Sequence, residues 1–461
     1  MESEDVNKKK FEREVKNLIY FVREYGIQHT PVSVEKILTT HETRMQFAQN
    51  VHHGFYLAQK NIVRLLTKIL TERKQLKSEL KDARRSKLKE EITKISNLIE
   101  ENKYQEMVLR KAMDAIAWQL FHSDISVLKR LYGGEELIDI TDSNLESELF
   151  AVDRFLEEDP YCFVLISDLT TFIQVGDLIV FRPNKGLEIY ELKDGEKNKQ
   201  VYDLLKKTMN NEICLVYELS KKDEHFIEQF SRTLKQVARE ASVIDTINTS
   251  KGKDLYTGLE ATISQTVVEM DCFVEKVREL IQQCNKKNHA IGVIEGCLLI
   301  GIYKQGKFPL VAFEAWKRAC DIKVPTYNMR YSLLDPLTQP IFLLSLPDNA
   351  IIDIIMGRTI ILMTLNLDDW LETFVKDGYT YHWMSKKQTS RITLPRIGNP
   401  LFKIGGCGIM IENKRGAKVM LGNGPFVRMF SSFYLPSSIR KYQEKVLDET
   451  SQDEETDNIR L

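Results

Sequence analysis

The sequence predicts a mixed α/β protein of the α+β kind, and three observations carry that reading. An amphipathic helical period runs from Ile62 to Ile99. Three short β-rich runs follow one another between positions 162 and 192. A mixed, glycine-punctuated region occupies the chain beyond Asn288. The 461 residues exceed what one hydrophobic core usually holds, so two or three domains are expected.

Residues 1–60 read as helical, broken by loops, one of them at Pro31. From there Ile62, Leu66, Ile69, Leu76, Leu80, Leu88, Ile92, Ile95 and Ile99 recur at three-, four- or seven-residue steps, with one eight-residue skip after Leu80. Lys and Glu fill the gaps. The cluster Asp82-Ala83-Arg84-Arg85-Ser86 either bends this coiled-coil-like arm into a hairpin or lies inside one continuous helix. The apolar seam points either to self-association as a homodimer, the reading preferred here, or to an intramolecular bundle with a solvated charged face. DNA contact through Arg84, Arg85, Lys87 and Lys89 is the weaker reading, because such charges usually form a solvated face.

Residues 112–132 continue as helix up to the stop signal Gly133-Gly134. Residues 143–158 form another, capped by Ser143 or Asn144, with Leu145, Leu149, Val152 and Leu156 on one face and Asp159-Pro160 at its end. Strands are expected at 162–166, 177–181 and 187–192. Arg182-Pro183-Asn184-Lys185-Gly186 forms the turn between the last two. A helix at 199–209 and a strand at 213–217 follow. Residues 225–245 and 257–285 read as helices, joined by the linker Thr249-Ser250-Lys251-Gly252-Lys253. Beyond Asn288 come a hairpin at Glu295-Gly296, an apolar stretch over 350–363 and strand pairs between 404 and 433. The acidic residues from 444 onward are expected to be disordered. The implied domains are 1–132, 133–245 and 246–440, with 441–461 as tail.

Composition narrows the function classes. A net charge of −1 means that a polyanion would have to be held by a local basic patch. The seven cysteines include no C-x-x-C pair and are expected to be reduced, buried thiols. The opening MESEDVNKKK is too polar for a signal peptide, and no apolar run approaches the roughly 20 residues of a membrane span, so a cytoplasmic location is expected. His52-His53 lacks neighbouring ligands and reads as a surface or capping pair. Ile404-Gly405-Gly406-Cys407-Gly408 lacks a P-loop ending and reads as a tight strand turn. No G-x-S-x-G elbow occurs. Trp370, Trp383, Tyr379 and Tyr381 lie among Lys376, Lys386, Lys387 and Arg391. Base stacking there is weighed below plain core packing with a basic edge.

One constellation carries chemistry. Alternate residues of a strand share a face, so Glu191 and Lys193 point the same way at the end of an otherwise apolar strand. Asp177 opens the neighbouring hairpin strand and adds a second carboxylate. Hard oxygen ligands of this kind suit Mg²⁺ or Mn²⁺. Asp177, Glu191 and the backbone carbonyl of Leu192 are the expected metal ligands. Lys193 would orient an attacking water or stabilise developing negative charge. The plain alternative is a solvated Glu191–Lys193 pair beside the Asp194-Gly195 turn, with Asp177 merely beginning a strand.

Asp177, the Glu191-Leu192-Lys193 triplet fourteen residues on, and the αβββαβ order around them resemble the PD-(D/E)xK, or restriction-endonuclease-like, nucleases. The resemblance covers residues 143–218. Gly176 stands where the nominal motif has proline. It implies a restriction-endonuclease-like core, Mg²⁺ or Mn²⁺ as cofactor, and hydrolysis of phosphodiester bonds, in DNA before RNA. It also implies a supporting Gln200 on the following helix and a carboxylate on the preceding one. Of Glu146 and Glu148, the latter lies nearer that helix's apolar face. Relatives with large accessory regions often serve in restriction, phage defence or repair, so a prokaryotic defence nuclease is the expectation. The competing class is a non-enzymatic interaction protein built on the long helices, with a degenerate core.

Overall fold

The structure is a computed structural model. It describes all residues except 1, 38, 135–138, 141–142, 144, 183–185, 193–199, 202–203, 205–221, 254–259, 263–268, 307, 393–400 and 453–461. The fold is mixed α/β, rich in helix, with several small antiparallel sheets. The chain divides into two compact units, Glu24–Ser264 and the combination of Met1–Arg23 with Gln265–Leu461. The first helix, α1 (Glu2–Arg23), therefore belongs with the C-terminal half. Among the described residues no helix is long and apolar enough to cross a membrane.

In the Glu24–Ser264 unit, two short helices, α2 (Tyr25–Gln28) and α3 (Val34–Ile37), lead into α4 (His41–Arg85) and α5 (Lys89–Leu120). The last two form an antiparallel hairpin. Within the chain, Ala83, Ile95 and Ile99 are buried against the partly buried Leu76, Leu80 and Ile92, while Leu88 at the tip is exposed. Of the two alternatives for the bend, the hairpin is the one observed. Lys87 turns left-handed (φ 58), and Leu88 N–H donates to the Ala83 carbonyl while Lys87 N–H donates to that of Arg84. This is a Schellman ending with lysine where glycine is usual.

The helix expected over 112–132 is interrupted. Ser123 N–H donates to Trp118 C=O and His122 N–H to Gln119 C=O, with His122 left-handed, so α5 stops at Leu120. Asp124 then caps a new helix, α6 (Ile125–Leu131), by accepting from Ser126 N–H at 2.8 Å.

Helix α7 (Leu145–Glu158) precedes an antiparallel sheet of β1 (Phe163–Ile166), β2 (Leu178–Arg182) and β3 (Gly186–Tyr190), in that spatial order. These are the three strands read from the sequence, to within a residue or two. Among the described residues β1 pairs only with β2, and a side chain bonds to its other edge. Gln59, fully buried on α4, donates to Val164 C=O and accepts from Ile166 N–H, both at 3.0 Å. The strand expected at 213–217 lies outside the described residues, as does most of the helix at 199–209. Only Gln200, Val201 and Leu204 of that helix are described, and they are helical. Helix α8 (Glu224–Thr249) follows, capped by Asp223. The expected linker instead leads into β4 (Lys251–Lys253), paired with β5 (Glu260–Thr262). Within the span expected as helix from 257, Glu260–Thr262 is strand, and the next helix described is Val274–Lys287.

The other unit is built on the sheet β6 (His289–Ile294), β7 (Leu298–Lys304), β9 (Thr359–Leu365), β8 (Tyr327–Asn328), in spatial order. The Glu295-Gly296 hairpin joins β6 to β7 with both turn residues left-handed. The apolar stretch 350–363 splits into a helix, Asp348–Ile355, and β9. Arg358 donates to both carboxylate oxygens of Glu12 at 2.8 Å and to Asp353 at 2.7 Å, tying α1 to this unit. Ile404 and Cys407 exchange backbone hydrogen bonds across left-handed Gly405-Gly406, the tight turn expected there. Trp370 is core and donates to the Pro436 carbonyl, whereas Trp383 is exposed. The final helix, Pro436–Gln452, extends into the stretch expected to be disordered, because Leu447 is buried and anchors it.

Candidate active site

The site grows from the junction of β1, β2 and β3. Gly176 is left-handed (φ 64), and a Cβ there would lie 2.2 Å from an Ile189 methyl carbon. Proline is locked near φ −65° and cannot adopt this conformation, which explains why glycine stands at that position. The kink turns Asp177 N–H onto Tyr190 C=O at 2.8 Å, while the Asp177 carbonyl accepts from Ser167 N–H at 2.9 Å. Asp177 thus joins the ends of all three strands. Its carboxylate accepts from Leu192 N–H at 2.5 Å.

Helix α7 presents Leu145, Glu148 and Val152 inward at i, i+3 and i+7. Glu148 is only 9% exposed, while Glu146 faces solvent. The Glu148 Oε2 atom is buried and has no hydrogen-bond partner. Desolvation pushes its carboxyl up to about 8, and the negative charges of Asp168 and Asp177 add to the shift. Asp168 sits in the short 3₁₀ turn Ser167–Leu169 that follows β1, and accepts from the Ser143 hydroxyl at 3.0 Å.

The structure therefore brings Glu148, Asp168 and Asp177 into electrostatic contact. Glu191 is half-buried, and its carboxylate accepts from the side-chain amide of Gln236 on α8. Leu192 meets Asp177 through its N–H. Gln200 is helical and exposed, and Lys193 lies outside the described residues. Sequence reasoning missed Asp168 and Gln236. Asp168 had a usable signal, an acidic residue just past an apolar strand. Gln236 had none, being 45 residues from its partner.

Among the described residues no group of three or more His, Cys, Asp and Glu side chains is arranged to hold a metal ion. Mg²⁺, however, does not need a protein cage. It is commonly bound through one or two carboxylates, with waters and substrate phosphates completing its shell. The chemistry that fits such binding here is the buried, unpartnered Glu148 Oε2, with the negative charges of Asp168 and Asp177 acting on it. Compared with known proteins, the chain matches no family model, no curated protein and no solved structure.

Proposed function

We propose that the Glu24–Ser264 unit is a metal-dependent nuclease that hydrolyses phosphodiester bonds, with DNA as its substrate. The observation that carries this reading is the orphaned, desolvated Glu148 carboxylate beside Asp177 and Asp168. Three acidic groups brought together with one left unpartnered are costly in a purely structural role. Asp177 and Glu148 would hold Mg²⁺ or Mn²⁺, with Glu191 and the Leu192 carbonyl at the exit of β3 as further oxygen donors. The bound cation supplies polarisation of the phosphate and a more acidic water.

The chain's own groups do the rest. The Leu192 N–H orients the Asp177 carboxylate, and Gln236 orients Glu191. Lys193 and Gln200 take the supporting roles that the resemblance implies, Lys193 towards the attacking water. A place in prokaryotic defence or restriction is the corresponding biological role.

The opposing reading is an interaction protein built on the α4–α5 hairpin with a degenerate core. It draws on Glu191 and Asp177 each having a partner within the fold. Two measurements separate the readings. Supercoiled plasmid incubated with Mn²⁺ or Mg²⁺ is expected to be nicked by the wild type and spared by Asp177→Ala and Lys193→Ala. Calorimetric titration with Mn²⁺ is expected to show binding that Asp177→Ala and Glu148→Gln abolish. Plasmid left intact together with no Mn²⁺ binding by the wild type would sink the nuclease.

A further inference from the structure

Helix α5 carries a buried ionic group that the proposed chemistry does not use. Arg110, Lys111 and Asp114 are completely buried, and Arg73 and Glu106 nearly so. Arg73 donates to Glu106, Arg110 lies 3.5 Å from the same carboxylate, and Lys111 lies 2.9 Å from Asp114. Burying ions is expensive, and well-packed apolar residues often serve stability as well or better.

Three members of this group, Arg110, Lys111 and Asp114, reach one short segment. Arg110 donates through Nε and Nη2 to the Thr170 carbonyl, at 3.2 and 2.6 Å. Asp114 accepts from Thr171 N–H at 2.7 Å and from its hydroxyl at 2.5 Å. Lys111 reaches the same hydroxyl at 3.2 Å. Thr170 in turn closes the turn that holds Asp168, donating to the Ser167 carbonyl through both N–H and hydroxyl, at 2.9 and 2.8 Å. The cluster sets three cations against two carboxylates, and the next negative charge acting on Arg110 is Asp168.

We propose that Arg110, working with Asp114, is a positioning residue that clamps the Ser167–Thr171 turn and so fixes Asp168 next to Ser167, whose N–H is bonded to the Asp177 carbonyl. The proposal rests on the reading of Glu148, Asp168 and Asp177 as a divalent-cation site. Its mechanical part, the clamp, stands apart from that reading. Arg110 touches no reacting group. It acts by fixing a backbone carbonyl two residues beyond Asp168 and by supplying a neighbouring positive charge. Outer groups of this kind typically change metal affinity about 10–100-fold when removed.

The test uses the full chain as Arg110→Met, Arg110→Lys and the milder Thr171→Val. Mn²⁺ affinity is read by calorimetry, and amide exchange over residues 163–176 is followed without metal. Arg110→Met is expected to weaken Mn²⁺ binding about tenfold or more and to speed exchange in the turn, with the helical circular dichroism retained. Arg110→Lys, which keeps the charge but not the two-pronged bond, is expected to recover part of the affinity. Wild-type affinity and wild-type exchange in a folded Arg110→Met would overturn the proposal. If Arg110→Met does not fold, Thr171→Val decides: slower Mn²⁺-free exchange or no change refutes the clamp, and faster exchange supports it. If the wild type binds no Mn²⁺, the cation-site reading falls, and exchange over the turn alone judges the clamp.

Discussion

Replacing Glu148 by glutamine tests the electrostatics of the site directly. In the folded chain the Glu148 carboxyl is held at about 8, against an ordinary value of 4.5. A raised carboxyl binds its proton more tightly when folded. Its contribution to stability is therefore complete below pH 4.5 and is lost as pH rises through 8. With about 1.36 kcal/mol for each pH unit between the two values, the loss is roughly 3 kcal/mol at pH 7 and about 5 kcal/mol above pH 8. Glutamine has nearly the same shape and no charge to desolvate. Glu148→Gln should therefore be more stable than the wild type in metal-free buffer, by a margin that widens from pH 5 to pH 8 and then levels. Urea denaturation with a chelator present, at pH 5, 6, 7, 8 and 9, measures that margin. Mn²⁺ should narrow it at high pH by stabilising the wild type alone. A margin that stays flat between pH 5 and 9 would show that Glu148 ionises normally, and the argument from its orphaned oxygen would go with it.

Other outcomes follow from the same geometry. Gly176→Ala should lose about 2–4 kcal/mol in urea melts, combining a left-handed alanine with the clash against Ile189. Gly176→Pro, the residue of the nominal motif, should lose at least as much. Gln59→Leu should lose about 2–5 kcal/mol, since it strands a buried N–H and a buried carbonyl on the edge of β1. Lys87→Gly should gain roughly 0.5–1 kcal/mol by relieving the left-handed lysine at the hairpin tip, read as a higher thermal midpoint. An unchanged or lower midpoint would contradict the Schellman assignment.

The legible parts of this protein are those whose signal is local. Alternating and β-branched residues marked β1, β2 and β3, because a strand's pairing surface is written in its own side chains. The helical period marked α4 and α5, and the inward pull on Glu148 over Glu146 could be read from helical angle alone. Where local signals were equivocal, the reading drifted. Neither His122 nor Ser123 is glycine, the usual left-handed residue, yet both turn left-handed, Asp124 caps a new helix, and α5 ends there. Lys251–Lys253 reads as a linker from local sequence, yet it pairs with the strand Glu260–Thr262.

By itself, then, the sequence determined a mixed α/β chain, its main helices and strands, and Asp177 as a carboxylate opening a hairpin strand. Only the tertiary structure decided that α1 joins the C-terminal unit and that Asp168 stands with Glu148 and Asp177. It alone set Gln236 on Glu191 and aimed Arg110 at the turn that carries Asp168. The physical reason is range. Backbone propensity and periodicity act over a few residues, whereas burial, desolvation and charge act between groups that only folding brings together, here from 9 to more than 200 positions apart along the chain.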